Sequence, residues 1–232
     1  MMSNLRDQSL LKRGSAKDFA YFELKQRILK GELAPNQAIV EEELSDELEI
    51  SRTPLRSALQ QLVFENLVER KPNGRLKVPS VSVKELEEIF TIRGKLEEIA
   101  VEQATENSTQ DDVRSLSNIA FMIKQTHKDG RVEDILYYGS QFHNYIYDLS
   151  DNQTIIYILS QLNDHIHRYR RLVPDQSIDR TIEAGEEHEV ILDCIARKDK
   201  KGAKFAMQKH IYNSLQVAKS AVIPFEKNKF NK

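Results

Sequence analysis

The chain has 232 residues, 40% hydrophobic and 30% charged, with a net charge of −2 and a single cysteine, Cys194. It is too apolar for a disordered chain and too charged for a membrane protein, and one cysteine excludes both an intramolecular disulfide and a Cys-rich metal site. The longest apolar runs, 119–123 and 155–159, fall far short of the roughly 18–20 residues that span a bilayer. The chain starts without the apolar stretch of a secretory signal, so a cytoplasmic protein is expected.

Residues 1–15 are polar and aperiodic and read as a flexible tail. Prolines 35, 54, 72 and 79 fall in the first third, and the next is Pro174. The proline-free stretch predicts long helices, with a boundary at Val78-Pro79-Ser80-Val81-Ser82. The first part reads as a helix over 16–30 ended by Gly31, a short helix over 41–48, and a third from Ser51 to about Asn66. Ser51 suits its N-cap, and Pro54 is tolerated in its first turn. Leu55, Ala58, Leu59 and Leu62 form one buried stripe at 3–4 spacing. Residues 67–70 and 75–78 flank Lys71-Pro72-Asn73-Gly74 as a hairpin. Six helices are then expected over 82–106, 109–129, 131–149, 152–172, 176–198 and 200–220. Ser82 with Glu85 makes a capping-box pattern, and Ser108/Thr109 and Asp151/Asn152 offer similar starts. The predicted fold is mainly α: a winged helix-turn-helix over 16–79, an antiparallel bundle of about six helices over 80–223, and a tail over 224–232.

The third helix suggests DNA. Arg52 and Arg56 are four apart and share a face, and arginine's planar fork can take guanine O6 and N7 together or grip phosphate. Ser51 and Thr53 can donate to phosphates at the helix terminus. From Ser51 to Val78 six cations face only Glu65 and Glu69, a local +4 on an acidic chain. With the wing tip Asn73, Gly74 and Arg75, these are the candidate DNA contacts; the bland alternative is a solvated helix face.

The residues Ile28-Leu29-Lys30-Gly31-Glu32-Leu33-Ala34-Pro35, Glu41-Glu42-Glu43-Leu44 and Ile50-Ser51-Arg52-Thr53-Pro54-Leu55-Arg56-Ser57-Ala58-Leu59 resemble the GntR family of bacterial transcription regulators, in particular its FadR-type branch. The resemblance runs through Leu62, Glu65, Leu67, Val68 and Gly74 and covers residues 16–80. Asn36 and Asn66 stand where the family usually has glycine, and asparagine is the best substitute in left-handed turns. Glu42 stands where some relatives carry a DNA-contacting arginine.

Arg93-Gly94-Lys95-Leu96-Glu97-Glu98-Ile99-Ala100, Phe142-His143, Glu187-His188, Asp199 with Ala203, and His210 resemble the effector domain of that branch, the FCD domain. The resemblance implies a divalent metal, zinc or nickel-like, held by His143, His188 and His210, with a small carboxylate effector beside it and Arg93 near the cavity. It also implies an aspartate four residues before His143, where this chain has Gly139. Three imidazoles can still bind zinc, but losing a carboxylate weakens the case for a hard ion. Asn144 and Glu187 are candidate partners of the neighbouring ligands. The alternative is three hydrogen-bonded histidines at a helix interface. Arg93 equally suits an ion pair with a nearby glutamate. His165 and His167 suit a pocket wall or an exposed basic helix end. Tyr137, Tyr138, Tyr145 and Tyr147 read as packing, and Cys194 as a small buried side chain.

The expected protein is a ligand-responsive transcription regulator, a repressor of a metabolic operon. It would bind an inverted-repeat operator in double-stranded DNA as a homodimer and answer to a small carboxylate or sugar acid. The alternatives are the same regulator with a metal-free pocket and a metal-dependent enzyme. The enzyme reading finds no His-Glu-x-x-His and no glycine-rich phosphate loop, and leaves the first eighty residues unexplained.

Overall fold

In the computed structural model, which describes residues 14–128, 131–170 and 178–227, Ser15 opens the first helix. Its hydroxyl accepts from the Asp18 N–H and the Asp18 carboxylate accepts from the Ser15 N–H, satisfying two otherwise orphaned amides. Helix α1 (Ala16–Leu29) buries Ala20, Leu24 and Ile28, one residue per turn. Gly31 then takes a φ of +75°, open to a residue without a Cβ. Strand β1 (Ala38–Ile39), helix α2 (Glu41–Glu47) and helix α3 (Arg52–Phe64) follow. The expected stripe of Leu55, Ala58, Leu59 and Leu62 is buried in one cluster with Ala20, Leu24, Ile28, Leu44 and Leu48.

The hairpin forms with shorter strands than expected, β2 (Glu69–Arg70) and β3 (Leu76–Lys77). β3 is the middle of an antiparallel sheet in the order β1-β3-β2. β1 was not expected. Two residues are too few to show alternation, and the strand is defined by its pairing: Asn36 N–H donates to Val78 O, and Val78 N–H to Gln37 O.

Backbone contacts divide the chain after Val81. The second unit comprises α4 (Val83–Asn107), α5 (Gln110–Lys128), α6 (Val132–Leu149), α7 (Gln153–Arg170), α8 (Ile178–Ala196) and α9 (Lys200–Lys227). Residues 129, 171, 172, 176 and 177 of the expected helices, and residues 1–13 and 228–232 of the expected tails, lie outside the described residues. α4 and α9 pack most extensively and run antiparallel: Glu226 accepts from Val83 N–H, Lys219 pairs with Glu87, Lys204 with Glu98 and Lys200 with Glu106. The first of these contacts explains a difference from expectation. The last helix runs through Pro224 to Lys227, where a tail was expected from 224, because Glu226 ties its final turn to the start of α4.

Caps were only partly legible. Thr109 and Asp112 make the full reciprocal box, and Asn152 Oδ1 accepts from Ile155 N–H. Ser82 accepts from Glu85 N–H at 3.0 Å, but the Glu85 side chain lies beside buried Arg168 and Tyr169. No helix among the described residues is long and apolar enough to cross a membrane.

Candidate functional site

The first unit presents the predicted arginines. Ser51 has the extended backbone of an N-cap (φ −71°, ψ 158°), yet its side chain makes no cap bond. The third residue of the helix is Pro54, which has no N–H to donate. The Ser51 hydroxyl is thereby left exposed beside Arg52 and Thr53, while Leu55 points into the core and Arg56 returns to the surface. At the wing tip Asn73 Oδ1 accepts from Arg75 N–H at 3.1 Å, and Gly74 has a φ of +81°. The charge of this face is lower than the 51–78 count suggests. Arg52 Nη2 lies 2.7 Å from Glu42 Oε1 and Arg56 Nε lies 2.6 Å from Glu41 Oε2. Both carboxylates come from α2, outside the stretch that was counted. Lys77 is also paired, with Glu69 at 2.9 Å.

The second unit brings His143 of α6, His188 of α8 and His210 of α9 together in its interior, with one ligand atom of each within 4.8 Å of the others. His143 Nε2 lies 3.1 Å from His210 Nε2 and 3.4 Å from His188 Nε2. Each outer nitrogen of His143 and His210 meets a carboxylate. Glu97 Oε2 is 2.6 Å from His143 Nδ1, and Glu187 Oε2 is 2.7 Å from His210 Nδ1. Glu97 is fully buried and also accepts from Arg93 Nε at 2.5 Å and Tyr147 Oη at 2.7 Å. Burial works to raise its pKa, but the charge of Arg93 and the hydrogen bonds from His143 and Tyr147 outweigh it and hold Glu97 well below the carboxylate range. Burial pushes His143 down to about 4 against the pull of Glu97, and lowers His210 against Glu187. Both rings are therefore neutral near pH 7. A neutral ring whose Nδ1–H donates to a carboxylate carries a bare lone pair on Nε2.

Glu97 joins the site beyond the sequence expectation, and its i,i+4 spacing from Arg93 is the signal in the sequence that points to it. Tyr147 is a polar partner of Glu97 as well as packing. Glu187 meets His210 Nδ1, and Asn144 accepts from Asn163. Arg93 does pair with a nearby glutamate, while its Nη1 is buried without a hydrogen-bond partner among the described residues. His165 and His167 are half-buried, with Arg168 and Tyr169 buried next to them, and Arg171 of the expected basic end lies outside the described residues. Cys194 is buried, as expected. A Cβ added at Gly139 would meet nothing within 4 Å, so the expected aspartate is missing for want of a side chain and not of room.

Residues 16–78 match the bacterial regulatory proteins of the gntR family, and residues 88–213 match the FCD domain. The HTH-type transcriptional regulator McbR of Escherichia coli (strain K12) is 27% identical over 199 residues, 84% of this chain and 89% of the relative. A solved structure of E. coli McbR/YncC superposes with a TM-score of 0.75 at 25% identity, covering 88% of this chain and 97% of that one. The gluconate operon transcriptional repressor of Bacillus licheniformis is 25% identical over 182 residues, 77% of this chain and 74% of the relative.

Proposed function

Since the chain belongs to the gntR family of bacterial regulatory proteins and carries an FCD domain, we propose that it is a cytoplasmic repressor of a metabolic operon whose helical domain holds a divalent metal and a small carboxylate or sugar acid. The observation that carries this reading is the meeting of His143 and His210 Nε2 at 3.1 Å, with both Nδ1 atoms on carboxylates. Two neutral rings so placed turn lone pairs toward each other, and a Lewis acid between them removes the repulsion. Four ligands at 2.0–2.1 Å in a tetrahedron stand about 3.3 Å apart, close to the separations of 3.1 and 3.4 Å here. His143, His188 and His210 would hold the metal, and it would supply a positive centre for an anion. Glu97 and Glu187 fix the ring tautomers, as carboxylates behind metal-bound histidines do. Arg93, with Nη1 to spare, receives part of the effector's charge. The site binds its ligand and does not turn it over. The gluconate repressor among the relatives supports a sugar-acid effector.

Ser51, Arg52, Thr53 and Arg56 would enter the major groove, with Asn73, Gly74 and Arg75 on the adjoining backbone. Exposed apolar side chains at seven-residue spacing, Ile92 and Ile99 on α4 and Phe205 and Tyr212 on α9, support a homodimer, which would read an inverted repeat. A metal-free pocket is the second reading, favoured by Gly139.

The test is elemental analysis of protein purified without chelator, beside a His143→Ala, His188→Ala, His210→Ala variant. Near-stoichiometric metal in the first and none in the second is expected. No metal in either protein would overturn the metal reading and leave Arg93 as the anchor of the effector. Arg52→Ala and Arg56→Ala are expected to abolish sequence-selective DNA binding without changing oligomeric state.

A further inference from the structure

The two ion pairs between α2 and α3 differ in which edge of the arginine they occupy. Glu41 reaches Arg56 through Nε, on the side of the fork. The terminal edge, Nη1 with Nη2, stays available to a base or phosphate. Glu42 reaches Arg52 through Nη2. Nη2 belongs to both edges of the guanidinium, so any bidentate grip on guanine O6 and N7 uses it. Glu41 is thus placed to aim its arginine, and Glu42 to compete with DNA for its own. Exposure agrees: the Glu41 side chain is 28% exposed against α3, whereas that of Glu42 is 71% exposed.

We propose that Glu41 is a positioning residue for Arg56 in DNA recognition and that Glu42 opposes DNA binding by occupying Arg52 and by setting a negative charge on the recognition face. The proposal rests on the DNA-reading role assigned to α3. Its physical basis is electrostatic. Sequence-independent affinity for DNA comes from cations that displace condensed counterions, each adding a slope of about −0.9 to log K against log salt. A carboxylate that holds a surface arginine cancels one such cation. Glu42 therefore lowers the affinity for every duplex, and Arg52 engages only where DNA outbids the carboxylate. Glu41 also carries a negative charge, but it restricts the swing of Arg56 and leaves the edge that reads a base. Its removal costs orientation where orientation matters, on the preferred sequence.

The experiment uses the full chain, Glu41→Gln and Glu42→Gln. The probes are a 30-base-pair duplex that the wild-type protein selects from a randomised pool and a scrambled duplex of the same composition. Affinity is measured across a salt series. Glu42→Gln is expected to bind both duplexes more tightly, by about eightfold at 0.1 M salt for each subunit that engages the DNA, with a salt slope steeper by about 0.9 per subunit, one phosphate contact's worth each. Glu41→Gln is expected to gain on the scrambled duplex and lose on the selected one, so that its selectivity falls by about tenfold for each half-site engaged, the size of one weakened base contact. Both variants should melt like the wild type, since exposed ion pairs add little to stability. Effects of the same sign on the selected duplex, or an unchanged slope in Glu42→Gln, would overturn the proposal. A wild-type protein that selects no sequence and binds neither duplex would overturn the DNA-reading role itself, a result distinct from either of these.

Discussion

Glu97 is a buried ion with donors on three sides: Arg93, Tyr147 and His143. Removing a partner from such an ion leaves its charge without compensation, which typically costs about 3–5 kcal/mol. Arg93→Met should therefore destabilise the metal-free protein by about that amount in urea unfolding, and a change under about 1 kcal/mol would show Glu97 to be otherwise satisfied. Glu97→Gln leaves the buried Arg93 without its carboxylate and should cost stability on a similar scale. It should also weaken metal affinity by roughly 10–100-fold in a competition assay with a chelator. Tyr169 gives a prediction in pH. It is buried beside Glu85, and burial, with that carboxylate, pushes its pKa above the ordinary phenol value. The folded state keeps a proton that the unfolded state releases. The resulting stability is complete below about pH 10 and is lost as the pH rises toward the folded value. Tyr169→Phe should flatten the fall in unfolding free energy above pH 10, and an unchanged slope would place the loss elsewhere. The three histidines were legible through a resemblance of short motifs. Glu97 was half legible. Its spacing from Arg93 lies within one helix, whereas His143, its other partner, is 46 residues away and reaches it only through packing.

Two helical glycines make opposite predictions for one substitution. Gly139 sits in the interior of α6, and an added Cβ would meet nothing. Gly139→Ala should stabilise the helix by about 0.5–1 kcal/mol, since alanine loses less backbone entropy. Gly202 sits in the first turn of α9, where its N–H donates to Asp199 Oδ1. A Cβ there would stand 2.3 Å from Asp199 Oδ2 and 3.0 Å from Cys194 Sγ. Gly202→Ala must displace the capping carboxylate, and a loss of about 1 kcal/mol is expected, the usual worth of a cap. Chemical denaturation of both variants checks the pair, and equal signs would contradict it. Such local detail explains what the sequence did and did not reveal about elements. The long helices of the second unit were readable from the proline-free stretch and their capping residues, and the shorter α3 from its apolar stripe. The missing Ser51 cap was readable too, had Pro54 been counted as the absent third-residue donor. β1 was not, because two residues carry no period and exist as a strand only through β3.

At the scale of the whole chain, the division after Val81 separates two kinds of stability. The first unit has its own apolar cluster, from Ala20 to Val78, and the three histidines belong entirely to the second. The composition could bound the size of these cores, and the proline spacing marked the change from short elements to long helices. Neither could say that three side chains from three helices meet at one point, because that depends on how α6, α8 and α9 pack. A ligand stabilises only the cooperative unit that binds it, by an amount set by its concentration over its dissociation constant. A metal at 100 times that constant contributes about 2.7 kcal/mol. For a unit of this size that is a shift of roughly 10 °C in melting temperature. Calorimetry of the full chain with and without a chelator should therefore move the transition of the helical unit by that much and leave the winged unit where it is. Equal shifts in both transitions would mean that the metal acts elsewhere. The His143→Ala, His188→Ala, His210→Ala variant should ignore the chelator altogether, because the three donors that meet in the helical unit are gone while the first unit's core is untouched.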